Sequence, residues 1–177
     1  AINLSVGRAL QARSGPAARV AAHLLAAGPG ARPEALEYSL LAAREATARL
    51  GHEDACAYYL RALDLAPAAA GRVEILLELA TSHERAGQSD QAARRFGEAA
   101  DASRAAGDPV GLARAALGIQ ALGHRSGAQN AELLDLLREA SRRLETAGGP
   151  LALQSRVLAA QARALRHGPD VVPGAEV

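Results

Sequence analysis

Residues 73–100 read VEILLELATSHERAGQSDQAARRFGEAA. Val73, Leu76, Leu77 and Ala80 recur at three- and four-residue spacing, the period of a helix and not the alternation of a strand. Ala86-Gly87 breaks that pattern, and glycine there suits the left-handed position that ends a helix. Beyond the break Ala92, Phe96 and Ala99 resume the same period. The stretch is therefore two helices joined by a turn short enough to force antiparallel packing. Small residues at the crossing let the two axes approach to about 8–10 Å, and the lone aromatic fills space between successive pairs.

Working outward, the same positions recur one unit earlier. Leu79-Ala80, His83, Gly87, Ala92, Phe96 and Ala99 match Ala42-Ala43, Ala46, Leu50, Ala55, Tyr59 and Ala62, a period of about 37 residues. A third unit keeps Leu117-Gly118 and Ala121 in its first helix, while its second helix, 131–146, follows a longer turn and matches less closely. Glycine and proline divide the rest at Ser14-Gly15-Pro16, Gly28-Pro29-Gly30, Leu50-Gly51, Ala66-Pro67, Gly107-Asp108-Pro109, Ser126-Gly127 and Gly148-Gly149-Pro150. About nine helices follow. The expected fold is all-α, a right-handed superhelix of stacked antiparallel helix pairs, because short amphipathic helices bury their apolar faces only by stacking. One helical-repeat domain spans 1–167, with units at 33–66, 71–107 and 110–146 and flanking helices at 1–28 and 150–167. Residues 168–177 carry two prolines and no periodicity and are expected to be disordered. Pro16 and Pro109 suit first helical turns, and Ser89 or Asp108 suits a capping role.

Composition points the same way. About a quarter of the 177 residues are alanine and only 2% are aromatic, which favours helices and gives strands little to pack. All 20 basic residues are arginine, so a phosphate-loop lysine, a Schiff base and a lysine general base are excluded within the chain. A net charge of +1 selects no polyanion, one cysteine excludes an internal disulfide, and no run approaches the ~18–20 apolar residues of a membrane span. A reducing, cytoplasmic setting is expected. Ala1 at the start and the lack of any methionine read as a segment of a longer polypeptide, and no signal peptide is recognisable.

No chemistry stands out. His52 and Cys56 lie four apart and offer half a zinc site, but no further ligand pair follows. Cys56 reads better as a packed thiol than as a nucleophile, since no histidine is fixed beside it in sequence. His23, His83, His124 and His167 follow the repeat spacing, and acid pairs such as Glu74 with Glu78 or Glu34 with Glu37 suit solvated helix faces. Gly28-Pro29-Gly30 and Gly148-Gly149-Pro150 are turns with no preceding strand. Arg94-Arg95 and Arg142-Arg143 are interrupted by acids and form no phosphate-tracking stripe. The expected protein is not an enzyme, uses no cofactor or metal, and binds neither nucleic acid nor membrane directly.

The repeated positions resemble the tetratricopeptide repeat, with Phe96 and Tyr59 at the second-helix aromatic position and Ala92, Ala55, Ala99 and Ala62 at the small ones. This chain departs from it in lacking the first-helix tryptophan, in keeping the Leu-Gly pair only at Leu117-Gly118, and in a longer repeat. The resemblance implies a concave groove lined by the first helix of each unit. Matched positions are Glu37, Leu40, Arg44 and Thr47, then Glu74, Leu77, Thr81 and Glu84, then Leu112, Ala115, Ile119 and Leu122. An acidic and polar rim that becomes apolar suits a protein or peptide partner. The alternative is that Leu112, Ile119 and Leu122 are covered by neighbouring helices.

The succession 20–28, 35–46 and 53–63, then 105–118, 133–144 and a helix from Leu151, resembles the region following the nucleotide-binding module in large LuxR-type transcriptional regulators of actinobacteria. That likeness implies a non-catalytic, signal-receiving segment between an ATP-binding switch module and a DNA-binding module. Its partners would be a protein or peptide, including neighbouring modules of the same polypeptide, or a small-molecule effector. A free-standing adaptor, and the repeat region of a cyclase- or kinase-linked signalling ATPase, remain alternatives. Apolar ends left by missing repeats would also favour self-association.

Overall fold

A computed structural model describes residues 2–66, 69–123 and 127–166. The expected tail at 168–177, and with it His124, Ser126 and His167, lies outside the described residues. Among those described there are nine α-helices, one 3-10 turn and no strand. In chain order they are α1 (Ile2–Ala12), α2 (Ala17–Ala26), the turn Pro29–Ala31, α3 (Arg32–Ala48), α4 (His52–Leu65) and α5 (Ala69–Arg85). There follow α6 (Ser89–Ala106), α7 (Pro109–Ala121), α8 (Gly127–Thr146) and α9 (Leu151–Arg166).

Each helix packs on its neighbours in sequence, most extensively within the pairs α3–α4 and α5–α6. First helices also meet across units, α5 on α7 and α7 on α9. The architecture is an all-helical stack of antiparallel pairs, as the periodicity predicts. The third pair, α7–α8, packs less extensively than α6–α7, in keeping with the longer turn before its second helix.

The alanines predicted at the crossings, Ala55, Ala62, Ala92 and Ala99, are fully buried, and Tyr59 and Phe96 are buried between them. A continuous core runs from Ala43 on α3 to Ala164 on α9. A smaller one, Val20, Leu24, Ala31 and Ala35, ties α2 to α3. α5 is buried on several faces, through Val73, Ile75, Leu76, Leu77, Leu79 and Ala80, because α4, α6 and α7 all lie against it. At roughly 1.5–3 kcal/mol per buried large aliphatic side chain, this shared burial is what single helices of this length lack.

The turns have specific causes. Gly87, Gly107 and Gly148 adopt positive φ (74°, 64° and 63°) just beyond helix ends. After α5 the amides of Gly87 and Gln88 bond back to the carbonyls of Glu84 and His83, which closes the last turn. Leu50 takes the same left-handed position after α3 with φ 60°, a conformation that strains an L side chain. Asp108 caps α7, accepting from the amides of Val110 and Gly111 at 3.0 and 2.9 Å, with Pro109 in the first turn. Ser89 does not cap α6: Gln88 holds the N-cap position and no side chain bonds there. Pro16 likewise sits at the N-cap of α2 and not inside its first turn.

Candidate functional site

Two of the first helices, α5 and α7, border a crevice. α5 and α7 diverge above Phe96 of α6 and leave a cavity of about 230 Å³. Leu77, Thr81 and Glu84 line the α5 side, while Arg114, Leu117, Gly118 and Ala121 line the α7 side, and Arg156 reaches in from α9. Leu77 is only 3% exposed, so it forms floor and not wall. The Thr81 hydroxyl donates to the Leu77 carbonyl at 2.9 Å.

Three of the residues expected on α5 therefore share one cavity. On α7 the expected register is wrong by about half a turn. Leu112 and Ala115 are 0% exposed and belong to the core, and Ile119 and Leu122 are half-buried against it. The alternative that neighbouring helices cover this α7 face is the one realised at Leu112 and Ala115. The face on the crevice carries Arg114, Leu117 and Ala121 instead. These repeat the spacing of Glu74, Leu77 and Thr81, and the charge reversal between Glu74 and Arg114 was the available signal.

Arg114 forks onto Glu74, with one nitrogen at 3.2 Å from Oε1 and the other closer on Oε2, and approaches Glu78 at 3.7 Å. The hydrogen bond to Glu74 raises the arginine's pKa further, against the opposing effect of burial. This ion pair ties α5 to α7 along the groove, so Glu74 is engaged internally. Arg156 makes no ion pair among the described residues.

Around α3 the picture is different. Glu37 and Arg44 are exposed, Leu40 is half-buried against the main core, and Thr47 donates to the Ala43 carbonyl at 3.0 Å. Thr47 and Arg44 lie near the buried phenol of Tyr59, as do Glu74 and Glu78 from α5. Burial raises the Tyr59 pKa, Glu78 adds to the rise, and the Thr47 hydrogen bond opposes it. The α3 and α5 positions are thus neighbours, but no α3 residue lines the crevice.

A second contact was missed by sequence reading. Cys56 Sγ lies 3.5 Å from His83 Nδ1, and the same nitrogen lies 2.6 Å from Gln88 Oε1. The histidine beside the cysteine comes from α5, 27 residues away, and not from His52 on the same helix. Both side chains are buried, His83 Nε2 has no hydrogen-bond partner among the described residues, and burial raises the Cys56 thiol pKa. A buried thiol with a raised pKa is a poor nucleophile. Among the described residues no three of histidine, cysteine, aspartate and glutamate converge on a metal-sized site.

A larger opening, about 450 Å³, lies between the α6–α7 turn and the end of α8, beside Pro109, Arg142 and Arg143. Arg143 is held by Glu139 at 3.0 Å, and Asp108 occupies the free amides of α7. Among the described residues no leucine or aromatic side chain lines that opening. Among the described residues no helix is long and apolar enough to cross a membrane. No protein-family model matches the chain, and no curated protein is significantly similar to it.

Proposed function

We propose that the chain is a non-catalytic interaction and signal-receiving segment, and that the crevice between α5 and α7 is where its partner or effector sits. The observation that carries this reading is an apolar floor, Leu77, Phe96 and Leu117, with Arg156, which pairs with no acid among the described residues, at its rim. That combination suits a peptide presenting an apolar side chain next to a carboxylate. The resemblance in segment order makes a LuxR-type ATP-binding transcriptional regulator the parent polypeptide of choice. Filling the crevice would bias the packing of α5 against α7 and, through the stack, the adjoining switch module.

An immunoblot of the organism that makes the chain, using antibody raised to it, tests the parent. A band several-fold above 18.2 kDa supports a module of a larger switch protein. A band at 18.2 kDa contradicts that reading and leaves the free-standing adaptor. In the parent protein, Thr81→Ala with Glu84→Ala is expected to weaken signalling while leaving the fold intact, and unchanged signalling would defeat the assignment of the crevice.

A further inference from the structure

α9 turns a line of positive charge towards the crevice. Arg156 lines it, and Arg163, about two turns and 10 Å further along the helix, donates to Gln120 Oε1 at 3.2 Å. That hydrogen bond fixes the end of α9 beside the last turn of α7, next to Ala121 at the edge of the crevice. α9 carries no acid, and neither arginine pairs with an acid among the described residues. The chain that leaves α9 reads HGPDVVPGAEV over 167–177 and lies outside the described residues. It holds the only acids after Glu145, Asp170 and Glu176, with the apolar pair Val171-Val172 between them and no arginine.

We propose that residues 170–177 fold back along α9 and occupy the crevice, with Val171 and Val172 over its apolar floor, Asp170 on Arg163 and Glu176 on Arg156. The proposal rests on the crevice being the interaction site and names its resident occupant, a segment of the same chain that an outside partner has to displace. Gly168-Pro169 supplies the reversal, since this dipeptide marks turns and proline cannot continue a helix. Reach is sufficient: Asp170 stands four residues beyond Arg166, so an extended chain carries it up to about 13 Å, and Arg163 lies only about 4.5 Å back along the helix. Spacing agrees as well. The two acids are six residues apart, at most about 20 Å, and a bend at Pro173-Gly174 shortens that towards the separation of the two arginines. Opposite charges then meet at both ends, and the antiparallel course brings the valines to Ala121 and Leu117, where the floor opens. Asp170-Val171 and Glu176-Val177 also repeat the pattern expected of a peptide there, an apolar residue beside a carboxylate. A segment tethered this closely acts at an effective concentration on the order of millimolar, so contacts too weak to hold a free peptide can hold this one.

Disulfide formation in the full 177-residue chain tests this, with the parent, whose one thiol is buried, as control. Val172→Cys is combined in turn with Ala121→Cys at the crevice and with Leu165→Cys, which is exposed on the opposite side of α9 from Arg156 and nearer along the chain. A segment with no fixed place closes the shorter loop at least as fast. The docked segment should link to Ala121→Cys about tenfold faster than to Leu165→Cys, within the monomer and independently of chain concentration. Reversing both acids, Asp170→Arg with Glu176→Arg, should abolish the preference, and adding Arg156→Glu with Arg163→Glu should restore it. Equal rates, a preference for Leu165→Cys, or a preference that survives reversal of the acids overturns the proposal. Links formed between chains overturn it too and assign the crevice to the segment of a second copy. The crevice itself is read separately, with peptides added from outside: no preference for Ala121→Cys, together with peptide binding that Ala121→Trp abolishes, removes the segment and leaves the crevice as an interaction site.

Discussion

The ring of Phe96 on α6 occupies the place where a side chain on Gly118 of α7 would begin. The Leu-Gly pair of the third unit is therefore a packing requirement: the glycine lets α7 close over the aromatic of the preceding unit and sets the depth of the crevice. Gly118→Ala should destabilise the chain by about 1–3 kcal/mol through overpacking, and Phe96→Ala by about 3–5 kcal/mol through the cavity it leaves. Urea unfolding followed by far-ultraviolet circular dichroism measures both. A neutral Gly118→Ala would show that α6 and α7 are not seated as described.

Leu50 offers the opposite sign. It is 77% exposed and held at φ 60°, so its side chain gains little from burial and strains the backbone. Leu50→Gly should raise stability by about 0.5–1 kcal/mol, after discounting the extra freedom glycine gives the unfolded chain. Thermal unfolding decides it, and a lower midpoint would contradict the left-handed turn after α3.

The ease of reading these features varied with how local their causes are. Helix limits were legible because glycine and proline mark them, and the core alanines because their spacing is helical. Residues 33–66 and 71–107 were legible as pairs since Tyr59 and Phe96 each anchor one. The register of α7 was not, because Leu112, Ala115, Ile119 and Leu122 are as apolar as Leu117 and Ala121, and only the ion pair between Glu74 and Arg114 separates the two faces. Nor was the contact of Cys56 with His83, which joins residues on different helices and depends on how α4 and α5 cross.

Burial raises the Cys56 pKa, so the folded state favours the thiol over the thiolate. Stability from this group is fully present below the ordinary thiol pKa of about 8.5 and is lost as pH rises through the higher folded value. Cys56→Ala should flatten the loss of stability just above pH ~8.5, whatever its cost at neutral pH. Iodoacetamide should label Cys56 slowly in the native chain and rapidly in urea. Fast native labelling would contradict the buried thiol.

Glu139 shows the acid counterpart. The hydrogen bond from Arg104 holds its carboxyl below the usual range, with the charge of Arg143 adding to the effect. Stability from the carboxylate is present above its unfolded pKa of about 4.3 and is lost as pH falls through the lower folded value. The site is partly solvated, so the effect should stay under about 1 kcal/mol. Glu139→Gln should flatten the acid limb of a stability profile below pH ~4.3, and an unaltered limb would remove this ion pair from the account.

The central claim is that the crevice between α5 and α7 is the interaction site. The most direct test is to select a displayed library of random peptides on the intact 177-residue chain and to retest the enriched peptides on two variants. Ala121→Trp fills the crevice from its exposed edge, and Arg156→Ala removes the cation at its rim. The account predicts peptides that combine an apolar residue with a neighbouring acid, lose binding about tenfold or more to Ala121→Trp, and weaken less, by about 1 kcal/mol, on Arg156→Ala. Enriched peptides that bind both variants as well as the parent would place the interaction elsewhere and contradict it.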